Sequence, residues 1–198
     1  FAPAPPFDRL RNLRHEMVAE LGRLGVEVEF EHHEAATAGQ SALALTPDGL
    51  LATAERLQWL KYVAKNVAFR HGRTVTFMPK PLADESGSGL YLHLSLYDGT
   101  RPVFAGDKYA GLSEQALQFM AGVLAHGPAL SALTNPSVNS YRRLLPGGDA
   151  PSEWSYSAGR RSAAIRIPSH SAAARAKRVE LRTPDGAANP YLALAAVL

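Results

Sequence analysis

The sequence predicts an α+β fold, in which largely antiparallel strands are backed by long helices. Apolar residues recur at helical spacing in two long segments, and shorter segments alternate apolar and polar residues with a period of two. The clearest alternation runs over 90–97, where four leucines face one way and Tyr91, His93, Ser95 and Tyr97 face the other. No repeat or linker divides the chain, so one domain is expected.

The helices are predicted from their caps and apolar stripes. Asp8 and Asp48 can cap long helices that end at Gly25 and Gly72, and Ser113 can begin a third that runs to about His126. A shorter helix is predicted after Pro128, and another begins at Asn189. Strands are predicted over residues 26–31, 41–45, 74–78, 90–97, 161–167 and 177–182. Residues 134–157 are rich in Pro, Gly, Asn and Ser and are predicted to form long loops.

Composition excludes several classes of function. The 198 residues carry a net charge of only +3 and no basic stripe with interleaved aromatics, so no nucleic-acid partner is expected. The absence of cysteine excludes disulfides, thiolate ligands and a cysteine nucleophile, and we expect a cytoplasmic protein. No apolar run of about 18 residues is present, so no membrane span is expected. The Pro-rich start and the uncapped apolar end are both expected to be edges of a fragment.

Three polar groups are candidate site elements, each with a plainer structural interpretation. The run His32-His33-Glu34 can offer metal ligands, but adjacent strand residues point to opposite faces. The turn 86–89 can bring backbone amides to an anion, or it can simply close a hairpin. The face with His93 can line a ligand cavity or meet solvent. A zinc hydrolase using His32, His33 and His93 is a further alternative, although these histidines lack tetrahedral spacing on one face.

Arginine is the most informative residue type. Guanidinium groups bind carboxylates and phosphates in a bidentate way, and several arginines are interleaved with apolar positions of the predicted strands. They favour an anion site, while isolated surface arginines remain the alternative. The arginines are Arg142, Arg143, Arg160, Arg161, Arg166, Arg178 and Arg182.

Taken in order, short motifs along the whole chain resemble the glutamine synthetase family, specifically its long bacterial type. The motifs are HHEAATAGQ at 32–40, KYV at 61–63, NVA at 66–68, TFMPKP at 76–81, GSG at 87–89, GDKYAGLS at 106–113, NP at 135–136, NSYRRL at 139–144, RSA at 161–163, IRIP at 165–168 and NPYL at 189–192.

The resemblance implies ATP-dependent ligation of ammonia to the γ-carboxylate of glutamate through a γ-glutamyl phosphate, with Mg²⁺ or Mn²⁺ as cofactor and a homo-oligomeric ring. It also implies that the largely antiparallel sheet is curved, like part of a barrel. The roles that the resemblance implies for single residues are as follows. Glu34 and Glu180 would bind metal; Gly87, Arg143 and Arg182 would bind substrate; His93, Ser95, Arg166 and Arg178 would lie near the nucleotide; Arg161 and Asp149 would be catalytic.

The chain also departs from the family pattern at metal positions. Ala42 stands where the family has a metal-binding Glu, and Tyr91 stands where it has a metal-binding His. Ser86 replaces an Asn, and the flap acid is Asp149 rather than Glu. Residues 1–198 are therefore expected to form a partial catalytic domain, without the small N-terminal domain, the preceding ligand strand or the C-terminal end.

Two hypotheses follow from these departures. In the first the protein is a ligase of this family, acting on ammonia and glutamate or on a related amine or amino acid, and the retained arginines with Glu34 and Glu180 support it. The isolated 198-residue chain is expected to be inactive, because the family's site lies between subunits. In the second it is a degenerate member that binds nucleotide or regulates a partner without turnover. Loss of metal-binding side chains at Ala42 and Tyr91 supports the second.

Overall fold

The computed structural model describes residues 6–146, 150–168 and 173–198, and these form a mixed helical and sheet structure. Each predicted helix is present, and one more lies in a region predicted to be loop. The α-helices are α1 (Arg11–Arg23), α2 (Leu50–Arg70), α3 (Glu114–Ala125), α4 (Gly127–Thr134), α5 (Val138–Arg143) and α6 (Pro190–Val197).

Two predicted helix caps are wrong, and both aspartates bind arginine instead. Helix α1 begins after Leu10 and helix α2 after Gly49, neither with a side-chain cap. Asp8 instead pairs with the buried Arg14, and Asp48 lies 2.5 Å from the Arg56 guanidinium. Each carboxylate also accepts a hydrogen bond from one amide, that of Leu10 for Asp8 at 3.2 Å and that of Gly49 for Asp48 at 2.7 Å, but both amides lie before the first residue of the helix. The charge-assisted bonds to arginine hold the aspartates outside the helix ends.

Other predicted helix ends are confirmed. The Ser113 hydroxyl accepts a hydrogen bond from the amide of Ala116 at 3.1 Å, and Asn189 accepts from two amides of α6. Gly25 and Gly72 follow α1 and α2 with φ of 74° and 65°, a conformation that favours glycine.

The strands form one four-stranded sheet and two hairpins, with no closed barrel among the described residues. In the sheet the order is β3-β8-β7-β6, where β6 and β7 are parallel and the other neighbours antiparallel. The α+β class with a largely antiparallel sheet is thus confirmed. The strands are β1 (Val28–His33), β2 (Ser41–Leu45), β3 (Leu92–Leu94), β4 (Tyr97–Asp98), β5 (Arg101–Pro102), β6 (Glu153–Ser157), β7 (Ala163–Arg166) and β8 (Val179–Leu181).

Three segments differ from their predicted state. The strand predicted over 90–97 is divided, because β3 covers only Leu92–Leu94 and Tyr97 begins β4 of a separate hairpin. Residues 74–78 are not paired as a strand, and the Met78 amide instead donates locally to the Thr76 hydroxyl at 3.1 Å. The predicted loop 134–157 contains α5 and β6. Helix α5 starts with a reciprocal capping box between Ser137 and Ser140, a local signal that the loop-like composition obscured.

The core has two apolar clusters joined by one helix. The first lies between the sheet, α3 and α6 and includes Phe104, Ile165 and Leu181. The second packs α1 against α2 and includes Leu21 and Val67. Because α2 also contributes Ala54 to the first cluster, it spans both.

No single helix in the described part of the chain is long and apolar enough to cross a membrane. Helices α3 and α4 meet that length and composition only when taken together across a 73° bend.

Candidate functional site

The site is built on the sheet, where three charged or titratable residues lie side by side. His93 of β3 pairs with Glu180 of β8, which also pairs with Arg166 of β7. Side chains at paired positions of neighbouring strands share one face and stand close enough to interact. Arg166 Nη1 accordingly lies 3.0 Å from Glu180 Oε2. Strand register therefore brings together residues that are up to 87 positions apart, which spacing alone does not show.

Glu180 is buried between two guanidinium groups. It is 2% exposed, and its second oxygen lies 3.3 Å from Arg182 Nη1. Arg182, itself 3% exposed, lies over the Tyr91 ring at 4.6 Å from the ring centroid. Its Nη2 also donates to the Tyr91 hydroxyl at 3.4 Å. Tyr91 thus packs against the guanidinium group of Arg182 in this carboxylate–guanidinium cluster.

His93 is held as a neutral acceptor beside this cluster. Arg178 Nε donates to His93 Nδ1 at 3.1 Å, so that nitrogen carries no proton. Burial lowers the pKa of His93; Glu180 opposes this, and the cations of Arg178 and Arg166 add to the lowering. The neutral ring leaves Nε2–H as a hydrogen-bond donor.

The loop 86–89 closes over a buried arginine. A side chain at Gly89 would meet Arg143 Nη2 at 2.3 Å, and one at Gly87 would meet the Pro79 carbonyl at 2.6 Å. Arg143 is 3% exposed and donates to the carbonyls of residues 182, 183 and 184. Burial lowers the pKa of Arg143 from its ordinary value. The arginine is therefore bonded to the segment just after β8 and packs closely against the loop, and its role in substrate binding stays a prediction.

The β1–β2 hairpin is tied to the same loop by a residue to which no role was assigned from the sequence. Gln40 donates to the Gly87 carbonyl at 2.8 Å and to the Ser88 hydroxyl at 3.0 Å. Thr37 also donates twice to Glu85, and these bonds lower the pKa of Glu85. The hairpin that carries Glu34 is therefore positioned against the loop. The one signal for Gln40 in the sequence is its position, because it places a side-chain amide at the end of the turn between two predicted strands.

The donor set near Glu34 is sparse. His32 Nε2 lies 3.6 Å from Glu34 Oε1, as expected for residues two apart on one strand face. His33 points elsewhere, with a buried Nδ1 that accepts no hydrogen bond. Ala42, the Cα partner of His32 across the hairpin, offers only a methyl group.

Among the described residues no group of three or more His, Asp, Glu or Cys side chains converges as a metal site. The three histidines of the zinc alternative therefore do not assemble. At Glu180 both carboxylate oxygens face guanidinium nitrogens, and the nearby Tyr91 packs its ring against Arg182. This donor set does not fit a divalent ion, which requires several oxygen ligands and anionic charge. At Glu34 one carboxylate remains that can hold a cation, with imidazole beside it.

Three predicted residues remain, and one of them lies outside the described chain. Ser95 and Arg161 are exposed, Ser95 just beyond β3 and Arg161 just before β7. Asp149, the predicted proton acceptor, lies outside the described residues. The roles of all three stay predictions.

Comparison with known proteins gives one consistent result. A family model described as "Glutamine synthetase, catalytic domain" matches residues 1–198. Curated glutamine synthetases of Aquifex aeolicus (strain VF5) and Escherichia coli (strain K12) are each 50% identical over 198 residues. These matches cover 100% of this chain and 42% of each relative, so the chain spans about two fifths of their length.

Solved structures agree. A cryo-EM structure of Plasmodium falciparum glutamine synthetase superposes with a TM-score of 0.94 at 33% identity, covering 100% of this chain and 38% of that one. A structure titled as a GmaS/ADP complex gives a TM-score of 0.84 at 37% identity, covering 96% of this chain and 44% of that one.

Proposed function

We propose, from the premise that this chain belongs to the glutamine synthetase family, that the protein is an ATP-dependent ligase joining ammonia to the γ-carboxylate of glutamate. The observation that carries the proposal is the cluster of Arg166, Arg178 and Arg182 on one sheet face beside the glycine loop. Such a group of guanidiniums suits a reaction in which carboxylate and phosphate oxygens approach one another.

The chemistry requires two displacements. ATP supplies the phosphoryl group: a γ-carboxylate oxygen of glutamate attacks the terminal phosphorus, and ADP leaves. The nitrogen of ammonia then attacks the activated carbonyl carbon, phosphate leaves, and a proton passes from nitrogen to a base. Asp149 is our prediction for that base, and Arg161, Arg166 and Arg178 for the groups that bind phosphate oxygens.

The other candidate residues are proposed to bind glutamate, the nucleotide and the metal. Gly87, Arg143 and Arg182 are proposed to form the glutamate side, and His93 and Ser95 the nucleotide side. The neutral His93, with Nε2–H free to donate, suits an uncharged contact to a nucleotide. The structure titled with ADP, 37% identical to this chain, supports a nucleotide site in this fold. Glu34 is the carboxylate proposed to hold Mg²⁺ or Mn²⁺, which would offset phosphate charge.

At the level of the whole protein, we propose a cytoplasmic enzyme of nitrogen metabolism that works as a homo-oligomeric ring. The curated relatives are more than twice as long as this chain, and they support a site completed by further residues. The 198 residues alone are therefore proposed to be inactive.

The test is release of phosphate from ATP that depends on both glutamate and ammonia, measured with the protein as naturally expressed. Arg166→Gln should lower kcat/KM at least about 100-fold, because it removes charge stabilisation at the reacting phosphate. Arg101→Gln is the matched control. Arg101 is exposed and forms an ion pair with Asp98 across the β4–β5 hairpin, away from the sheet, so its loss should change kcat/KM less than twofold. Phosphate release that ignores glutamate and ammonia would refute the ligase.

The second candidate is a nucleotide-binding member without turnover. It is favoured by Ala42 and Tyr91, which leave the hairpin and the sheet without two donors found in the family pattern. Calorimetric titration of ATP separates the two: nucleotide binding without any glutamate-dependent phosphate release would establish the second.

A further inference from the structure

Glu180 and its neighbours carry an inference that rests on the proposed function, because it concerns the metal complement of that site. The carboxylate is 2% exposed, and a buried carboxylate needs opposite charge close by. A metal ion and a guanidinium group can each supply that charge, and the contacts of Glu180 distinguish them.

The space around the carboxylate is taken by arginine. Oε1 faces Arg182 Nη1 at 3.3 Å, and Oε2 faces Arg166 Nη1 at 3.0 Å. Oε2 accepts no directed hydrogen bond, so it is the atom a cation would contact, and Arg166 stands at that point. Two guanidiniums for one carboxylate leave a net positive charge, which repels a divalent cation.

Of the two nearest residues of the neighbouring segment, His93 lies opposite Glu180 with its Nδ1 occupied by Arg178, and Tyr91 packs against Arg182 without offering a strong metal donor. Its ring stacks on the Arg182 guanidinium at 4.6 Å and lies 5.8 Å from that of Arg143. A guanidinium on a tyrosine face is stabilised by the ring quadrupole, whereas a metal ion requires an ionised or lone-pair donor. The aromatic ring therefore favours arginine at this corner over metal.

We propose that no divalent cation binds at Glu180 in this protein, and that Arg166 and Arg182, stacked against Tyr91, supply the positive charge there instead. Any metal bound by the protein is held elsewhere, without Glu180 as a ligand.

The test counts bound Mn²⁺ without any turnover, so that it is readable whether or not the ligase assay succeeds. Free Mn²⁺ is followed by electron paramagnetic resonance during titration of the naturally expressed protein and of Glu180→Gln. We expect both proteins to bind the same number of Mn²⁺ ions with affinities within about twofold of each other. The substitution removes a carboxylate that pairs with guanidinium groups and does not remove a metal ligand. Loss of one bound Mn²⁺, or affinity weakened about tenfold or more as on removal of a metal-site residue, would overturn the proposal.

A second variant keeps the test decisive if Glu180→Gln does not fold. The double change Arg166→Gln and Tyr91→His removes the guanidinium that faces Oε2 and adds an imidazole donor to the cluster, at the position that packs against Arg182. We expect this variant to bind one Mn²⁺ more than the unmodified protein, and circular dichroism verifies that it folds. A folded double variant that gains no Mn²⁺ would show that Arg166 and Tyr91 are not what excludes the ion.

Discussion

Single buried charges in this molecule are held by specific partners, and Arg14 shows how. Its side chain is 3% exposed, and it donates to both oxygens of Asp8, at 2.9 and 2.5 Å, and to Glu31. These contacts connect the segment before α1 to β1, the strand that leads to Glu34. The contacts of Arg14 with Asp8 and Glu31 therefore stabilise the β1–β2 hairpin, which carries the proposed metal ligand Glu34.

We expect Asp8→Asn to lower the free energy of unfolding by about 2 kcal/mol at pH 7, because it removes one partner of a buried pair while Glu31 remains. The Arg14 hydrogen bond lowers the pKa of Asp8 from 3.8 to about 2. A carboxyl with a depressed folded pKa contributes stability above its unfolded pKa and loses it as pH falls through the folded value. The difference in free energy of unfolding between the unmodified protein and Asp8→Asn should thus have its full value above about pH 4 and disappear near pH 2.

Urea unfolding across pH 2–7 measures this difference. Asp84→Asn is the control, because Asp84 is exposed in the loop before the glycines. A difference between Asp8→Asn and the unmodified protein that stays constant from pH 5 to pH 2 would contradict the role assigned to the ionised Asp8.

At the scale of elements, the glycine loop shows how backbone packing sets the site. It lies so close to its neighbours that a Cβ at Gly87 would meet both the Pro79 carbonyl and Arg143 Cγ, at 2.6 and 2.9 Å. The contact to Pro79 is with backbone, which cannot rotate away. Gln40 holds the other side of the same loop. The glycine is thus required for close approach, not for its φ.

We expect Gly87→Ala to destabilise the fold by about 1–3 kcal/mol, the usual range for overpacking. Gly22→Ala should instead stabilise by up to about 1 kcal/mol, because alanine is the better helix former and a Cβ at Gly22 of α1 meets nothing within 4 Å. Thermal unfolding of both variants gives the comparison. Equal effects of the two substitutions would mean that the Pro79 contact does not constrain the loop.

At the scale of the whole molecule, much surface remains exposed. The accessible surface is 11079 Å², whereas a compact monomer of 21.3 kDa exposes about 9,100 Å² by the usual scaling. Part of the excess is apolar: on α2, Tyr62 is 61% and Phe69 80% exposed. Such exposed aromatics are typical of contact surfaces and support the proposal of a larger assembly.

The two apolar clusters should unfold as one unit, because α2 spans both. Leu21→Ala and Ile165→Ala each remove a side chain that is 1% exposed, one in each cluster, and we expect each to cost about 2–5 kcal/mol. Both should shift the same single transition, seen alike by far- and near-ultraviolet circular dichroism. Two transitions, with each variant moving only one of them, would show that the clusters are independent.

The sequence by itself determined five of the six helices in the described residues, the α+β class and the family. Apolar periodicity and the signals at Ser113, Asn189, Gly25 and Gly72 are local, so they are readable from neighbouring residues. The ordered motifs were likewise sufficient for the family, which the match over residues 1–198 confirms.

Only the tertiary structure decided the partners of the site residues. Register between β3, β8 and β7 placed Glu180 between Arg166 and Arg182 and set Tyr91 against Arg182. Asp8 bound Arg14 instead of capping a helix, and β6 formed by pairing with β7. In each case the outcome was decided by a side-chain contact or by strand pairing. The energies of these interactions depend on three-dimensional distances, which cannot be read from the spacing of residues along the chain.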